Sequence, residues 1–189
     1  MATREPGFIE RTRRAQLIDV TIAAVAEHGY SNVSLARIAD NAGITKAAVL
    51  YHFRTKDAVV EAAYRFVLDA LVEDVAAAVG DVPAQDGPAA YVRAMVGHLR
   101  AHPRHTRMLI EALANSMPGH TPEQRWRPLA DLIDASVRAR GTSGVDSRTL
   151  AIITGGAIDA IVTERLHDPD YDSAAAGESL AAILDAALG

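Results

Sequence analysis

Apolar residues recur at intervals of three and four along nearly the whole chain, and Gly or Pro falls between the periodic runs. Strand-like alternation is nearly absent, so the pattern points to an all-α fold. About nine helices are expected. The first runs over Phe8–His28, with Ala15, Ile18, Ile22 and Val25 on one face and Gly29 as its stop. Ser34 reads as the N-cap of a helix ending near Asn41, Thr45 as the N-cap of one reaching His52, and Thr55 as the N-cap of a long one through Val79. At 1.5 Å per residue that last helix spans roughly 37 Å. Beyond the break at 80–87, helices are expected over 88–101, 104–116, 122–138, 146–166 and 173–188, bounded by Pro103, Pro118, Gly141 and Pro169.

Composition narrows the class. With 189 residues, 49% of them apolar, the chain can bury one large core or two modest ones. It has no cysteine, which removes disulfides and thiolate chemistry and suits a reducing compartment. The first seven residues carry charge where a signal peptide needs its apolar run, and no stretch approaches the roughly 18 apolar residues of a membrane span. A cytoplasmic protein without membrane contact is expected. The net charge is −5, yet residues 1–57 hold eight Lys or Arg against six Asp or Glu, whereas the remainder holds eleven against eighteen. Only the N-terminal part suits phosphates.

The segment 34–53, SLARIADNAGITKAAVLYHF, carries the most specific signal. Two helices must cross closely here. Ala39 is small where the second helix approaches, Gly43 supplies a left-handed turn conformation, Ile44 plugs the corner, and Ile38, Val49 and Phe53 fill a small core. Thr45, Lys46 and Ala47 then lie at the outward N-terminal end of the second helix, with Tyr51 and His52 one turn on. A recognition helix presents that end to the major groove. Lys46 and Lys56 are candidate phosphate ligands; the Thr45 hydroxyl or Ala47 methyl suits a base edge or thymine methyl. The plainer reading, solvated residues on an αα-hairpin, suits a lone Ala-Gly-Ile step, but the ordered set of Ala39, Gly43, Ile44 and Val49 favours DNA binding.

Residues from about 11 to 60 resemble the DNA-binding domain of the tetracycline-repressor (TetR) family, through SLARIA, AGITK and LYHFRTKDA. The resemblance implies that Tyr51 and Lys56 touch phosphates and that Ser34, Thr45, Lys46, Ala47 and His52 belong to the DNA face. Ala47 departs from the family's frequent glycine, and Arg37 from its frequent acidic residue. The implied architecture is a three-helix helix-turn-helix domain over 1–54 followed by a helical effector-binding and dimerisation domain over 55–189. By the same analogy the last two helices pair with their copies in a homodimer. Candidate interface residues are Ile153, Gly156, Ala157, Ala160, Leu180, Ile183 and Leu184, although helical periodicity fits ordinary core positions equally. A small-molecule effector is expected between the long helix and those after it, with Tyr64, Tyr91, Met95, His98, Met108, Glu111, Asn115 and Trp126 as candidates.

Other constellations are set aside. His98 and His102 have the one-turn spacing of a chelate, but Pro103 is expected to end their helix before His105. Helix-end histidines meeting backbone carbonyls are the preferred reading, so no metal is assigned. Asp168, Asp170 and Asp172 open like a calcium loop, but Ser173 and Ser179 replace its glycine and glutamate. No phosphate-cradling loop or nucleophile elbow occurs, so neither enzyme activity nor a cofactor is expected. The expectation is a regulator, most simply a repressor released from a palindromic duplex operator by a small molecule. Two alternatives stand beside it: a DNA-binding regulator without ligand, and an all-helical carrier or enzyme.

Overall fold

The computed structural model describes residues 7–115 and 122–189. Its helices are α1 (Phe8–His28), α2 (Leu35–Asn41), α3 (Lys46–His52), α4 (Lys56–Gly80), α5 (Gly87–Ala101), α6 (Pro103–Ala114), α7 (Pro122–Arg140), α8 (Ser147–His167) and α9 (Ser173–Leu188). Single 3-10 turns occupy Tyr30–Asn32 and Ala84–Asp86, and no strand occurs among the described residues. The expected end of α6 at Ser116 and the break at Pro118 lie outside those residues.

The caps explain why the short helices start where they do. Ser34 Oγ accepts from Arg37 N (3.2 Å), Thr45 Oγ1 from Ala48 N (3.2 Å) and Thr55 Oγ1 from Ala58 N (3.0 Å). Each satisfies one backbone donor that a helix start leaves open. Pro103 opens α6 instead of only closing α5, because the first helical position needs no N–H. His102 is the single residue between the two helices.

The chain forms two compact units. One comprises Met1–Asp69 with Arg107–Met117, the other Ala70–Thr106 with Pro118–Gly189. The first therefore takes in the start of α4 and the later part of α6, which a split at 54/55 leaves with the C-terminal domain. Val59, Val60, Ala63, Tyr64 and Val67 of α4, with Met108 and Ala112 of α6, join the same core as Leu17, Ile22 and Val25 of α1. Ile38, Ala39, Val49 and Phe53 complete it. The inward stripe of α1 differs from the expected one: Leu17 and Thr21 are buried, Ile18 is half-buried and Ala15 is exposed. Thr21 is tolerated there because its hydroxyl donates to Leu17 O (2.7 Å).

In the second unit α5 packs against α9 and α7 against α8. Its core takes Val92, Val96 and Leu99 from α5, Leu129 and Ile133 from α7, Ile158 and Val162 from α8, and Ala181, Leu184 and Leu188 from α9. Gly177 allows the close approach of α9 to α5, since a Cβ there would stand 3.1 Å from Val96 Cγ1. Among the described residues no helix is long and apolar enough to cross a membrane.

Two glycines in the first unit have left-handed φ, Gly29 at 75° and Gly43 at 64°. Gly29 also has ψ 157°, a combination nearly confined to glycine, and a Cβ on it would meet Glu111 Oε2 at 3.3 Å. Gly43 has open space around it. We therefore expect Gly43→Ala to lower unfolding free energy by about 1–2 kcal/mol and Gly29→Ala to lower it further. Urea unfolding of both variants checks the order; equal costs would show that the Glu111 approach is immaterial.

Candidate nucleic-acid interface and effector residues

The turn between α2 and α3 is closed by backbone hydrogen bonds from Gly43 N to Asp40 O (3.1 Å) and Ile44 N to Ala39 O (3.0 Å). Ile38, Ala39, Val49 and Phe53 are buried and Ile44 is half-buried, so the inward side of the hairpin is fixed. What remains outward is Thr45, Lys46, Ala47, Leu50 and Tyr51, Tyr51 being 75% exposed. Ser34 and Thr45 are exposed too, and each hydroxyl keeps a proton to donate while its oxygen caps a helix.

His52 is half-buried, its ring edge-on to Tyr51 at 5.0 Å, and its Nδ1 is buried without a hydrogen-bond partner among the described residues. Its carbonyl accepts from Arg14 Nη1 (2.6 Å), and the same guanidinium lies 4.2 Å over the Phe53 ring. A cation is thus placed at the C-terminal end of α3, where the helix dipole favours one. Sequence reasoning missed Arg14, because nothing local signals a partner 38 residues away. Lys56 is not simply outward: Nζ donates to Tyr30 O (2.6 Å) and sits 4.1 Å over the Tyr30 ring. Tyr30 in turn donates its hydroxyl to Asp57 Oδ1 (2.6 Å), and this hydrogen bond, helped by desolvation and the carboxylate charge, raises the phenol above its ordinary pKa.

Residues 17–63 match the family model described as "Bacterial regulatory proteins, tetR family". The N-terminal segment is a TetR-family domain. The HTH-type transcriptional regulator BetI of Burkholderia thailandensis is 42% identical over 84 residues, covering 44% of this chain and 42% of BetI. The match thus spans less than half of that curated relative's length. Over nearly the whole chain the fold is shared with a TetR-like transcriptional regulator from Rhodococcus sp. RHA1, at TM-score 0.77 and 20% identity, covering 98% of each chain. It is shared also with the transcriptional regulator FadR from Bacillus subtilis, solved in complex with stearoyl-CoA, at TM-score 0.71 and 18% identity, covering 90% of this chain and 96% of that one.

Outside the TetR-family segment, the eight effector candidates divide between the units. Tyr64 and Met108 are buried in the core of the first. Glu111 there accepts from Tyr30 N (2.8 Å) and so holds the turn after α1, while exposed Asn115, just past the end of α6, donates to Glu111 O (2.8 Å). These contacts give Glu111 a structural task that its sequence position did not suggest. In the second unit Tyr91, Met95 and His98 follow one another at four- and three-residue steps along α5. Tyr91 is half-buried; desolvation, then the Asp159 charge, raise its phenol pKa against the nearby Arg125, keeping it a neutral donor. Trp126 is half-buried with the Arg148 guanidinium 4.9 Å over its ring. His98 is buried and donates Nδ1–H to Asp74 Oδ2 (2.5 Å).

Of the interface candidates, Ile153, Gly156 and Ala160 lie exposed along α8 and Ile183 along α9, while Ala157 and Leu180 are half-buried. Leu184, at 1% exposure, lies instead in the core of the second unit. Ile152, half exposed beside Ile153, was not singled out from the sequence.

The Glu111 contact gives a direct test. Glu111→Ala strips a charge-assisted bond from Tyr30 N and should lower unfolding free energy by about 1.5–3 kcal/mol. Urea denaturation that left the midpoint unchanged would remove Glu111 from the list of fold-holding residues.

Proposed function

We propose that this protein is a sequence-specific, duplex-DNA-binding transcription regulator, acting as a homodimeric repressor that a small molecule releases from a palindromic operator. The observation that carries this reading is the exposed set Lys46, Ala47 and Tyr51 on a short helix locked by the Gly43 turn, inside a segment that matches the TetR family. Lys46 supplies phosphate charge, and Lys56 adds to it from a position already fixed over Tyr30. BetI of Burkholderia thailandensis, one of the relatives this chain matches, is named as a transcriptional regulator.

Selection from a random duplex pool should enrich a palindrome. On that sequence Lys46→Ala should weaken binding and reduce the salt slope by about one, and Tyr51→Phe should weaken it without changing the slope. Absence of enrichment, with weak binding indifferent to both changes, would overturn the reading.

Dimerisation rests on Ile152, Ile153 and Gly156 of α8 and Ile183 of α9, since outward apolar side chains at helical spacing suit a helical bundle with a second copy. Two half-sites one helical turn apart need such a dimer. Light scattering of Ile183→Asp should show monomer where the unchanged protein is a dimer; a dimer that survives this substitution and Ile153→Asp would place the interface elsewhere.

The effector reading is supported by a shared fold with a regulator captured with stearoyl-CoA. Tyr91, Met95 and Trp126, half-buried in the second unit, are the residues assigned to such a ligand. Release requires that it bind the DNA-incompetent arrangement more tightly, because equal affinity shifts nothing. Helix α4 begins just after the recognition helix and runs on into the second unit, which makes it the element that carries the change.

A further inference from the structure

The second unit also gathers imidazoles that DNA binding does not use. Asp74 of α4, His98 in the last turn of α5, His102 just after it, and His105 in the first turn of α6 all belong to it. His98 is only 6% exposed. The centroid of its ring lies 4.6 Å from that of His102 and 6.0 Å from that of His105, and the latter two are 5.0 Å apart. One potential donor atom from each of Asp74, His98 and His102 falls within 4.8 Å of the other two.

The hydrogen-bond pattern on His98 selects what such a cluster can take. A carboxylate only accepts, so Asp74 holds the proton on Nδ1 and leaves the lone pair on Nε2. That Nε2 is buried without a hydrogen-bond partner among the described residues. An imidazole backed by a carboxylate on one nitrogen and open on the other is the arrangement that orients a metal-bound histidine. Ring spacing agrees. Nitrogen donors at about 2.0–2.1 Å from a tetrahedral ion place their ring centres roughly 5 Å apart. His102 and Asp74 are exposed, so both can adjust to an ion without disturbing the core.

We propose that His98 and His102 bind a divalent transition-metal ion of the zinc class, with Asp74 as the positioning residue that fixes the His98 tautomer. Imidazole donors favour such an ion over magnesium or calcium, which take oxygen ligands. The histidine spacing was visible in the sequence. Pro103 does not end the arrangement, because it opens α6 and returns His105 to the side of His102.

The test uses the full chain, stripped of metal with a chelator and titrated with Zn2+ against a chromophoric competitor. One equivalent should bind, and Co2+ should give the intense visible bands of a low-coordinate site. His102→Ala and Asp74→Asn should each weaken Zn2+ at least about tenfold, Asp74→Glu should restore most of the affinity, and His167→Ala should change nothing. Circular dichroism checks that the variants fold; His102 and Asp74 are exposed, so it should not change. Zn2+ affinity that is the same in the unchanged protein, His102→Ala and Asp74→Asn would mean adventitious binding elsewhere and would overturn the proposal. Asp74→Glu as weak as Asp74→Asn would overturn the role given to Asp74.

Discussion

A helix of seven residues does not persist by itself in water, because nucleation fixes several backbone angles for each hydrogen bond gained. The exposed helix α3 has only that length, so every property assigned to its surface depends on packing beneath it. Val49 and Phe53 provide the anchors, both buried in the core shared with α1, α2 and α4. Gly43 lets the chain reverse tightly enough for them to reach that core, and Arg14 closes the far end by bonding the His52 carbonyl and covering Phe53. Lys46, Ala47 and Tyr51 can therefore point outward without weakening the element that carries them.

The same economy governs the turn after α1. Gly29 adopts a conformation that other residues resist, Glu111 accepts the Tyr30 N–H, and Tyr30 links onward to Asp57 and Lys56. Three helices of the first unit are thus tied at one short turn. Lys56 takes part in the tie and belongs to the proposed DNA face, so its charge is presented from a held position. Less side-chain freedom remains to be lost on meeting a phosphate.

The second unit separates apolar surface from polar function. Leu184 and Leu188 of α9 fill its core, while Ile183 one residue away is two-thirds exposed, as are most of Ile153 and half of Ile152 on α8. These outward isoleucines are the side chains on which the proposed pairing with a second copy rests. Helix α5 carries a different pattern: Tyr91 and Met95 are half-buried, and beyond them His98 is sealed with Asp74 at its back. Apolar contact and nitrogen donors follow each other along one helix.

Helix existence was legible from residues alone, since the 3.6-residue period, the Ser34, Thr45 and Thr55 caps, the Gly29 stop and the Gly43 turn are local effects written in neighbouring residues. The outward set on α3 followed from the same local geometry, because burying Ile38, Val49 and Phe53 leaves few orientations for the rest. Only the tertiary structure decided that Leu17 and Thr21, instead of Ala15, face the core. Two faces of an apolar helix look alike until a partner selects one. It also decided that Arg14 reaches His52, Glu111 reaches Tyr30 and Asp74 backs His98, pairs separated by 38, 81 and 24 residues. Periodicity reports which side chains share a helix face, whereas the partner of a buried polar group is fixed by where distant helices come together.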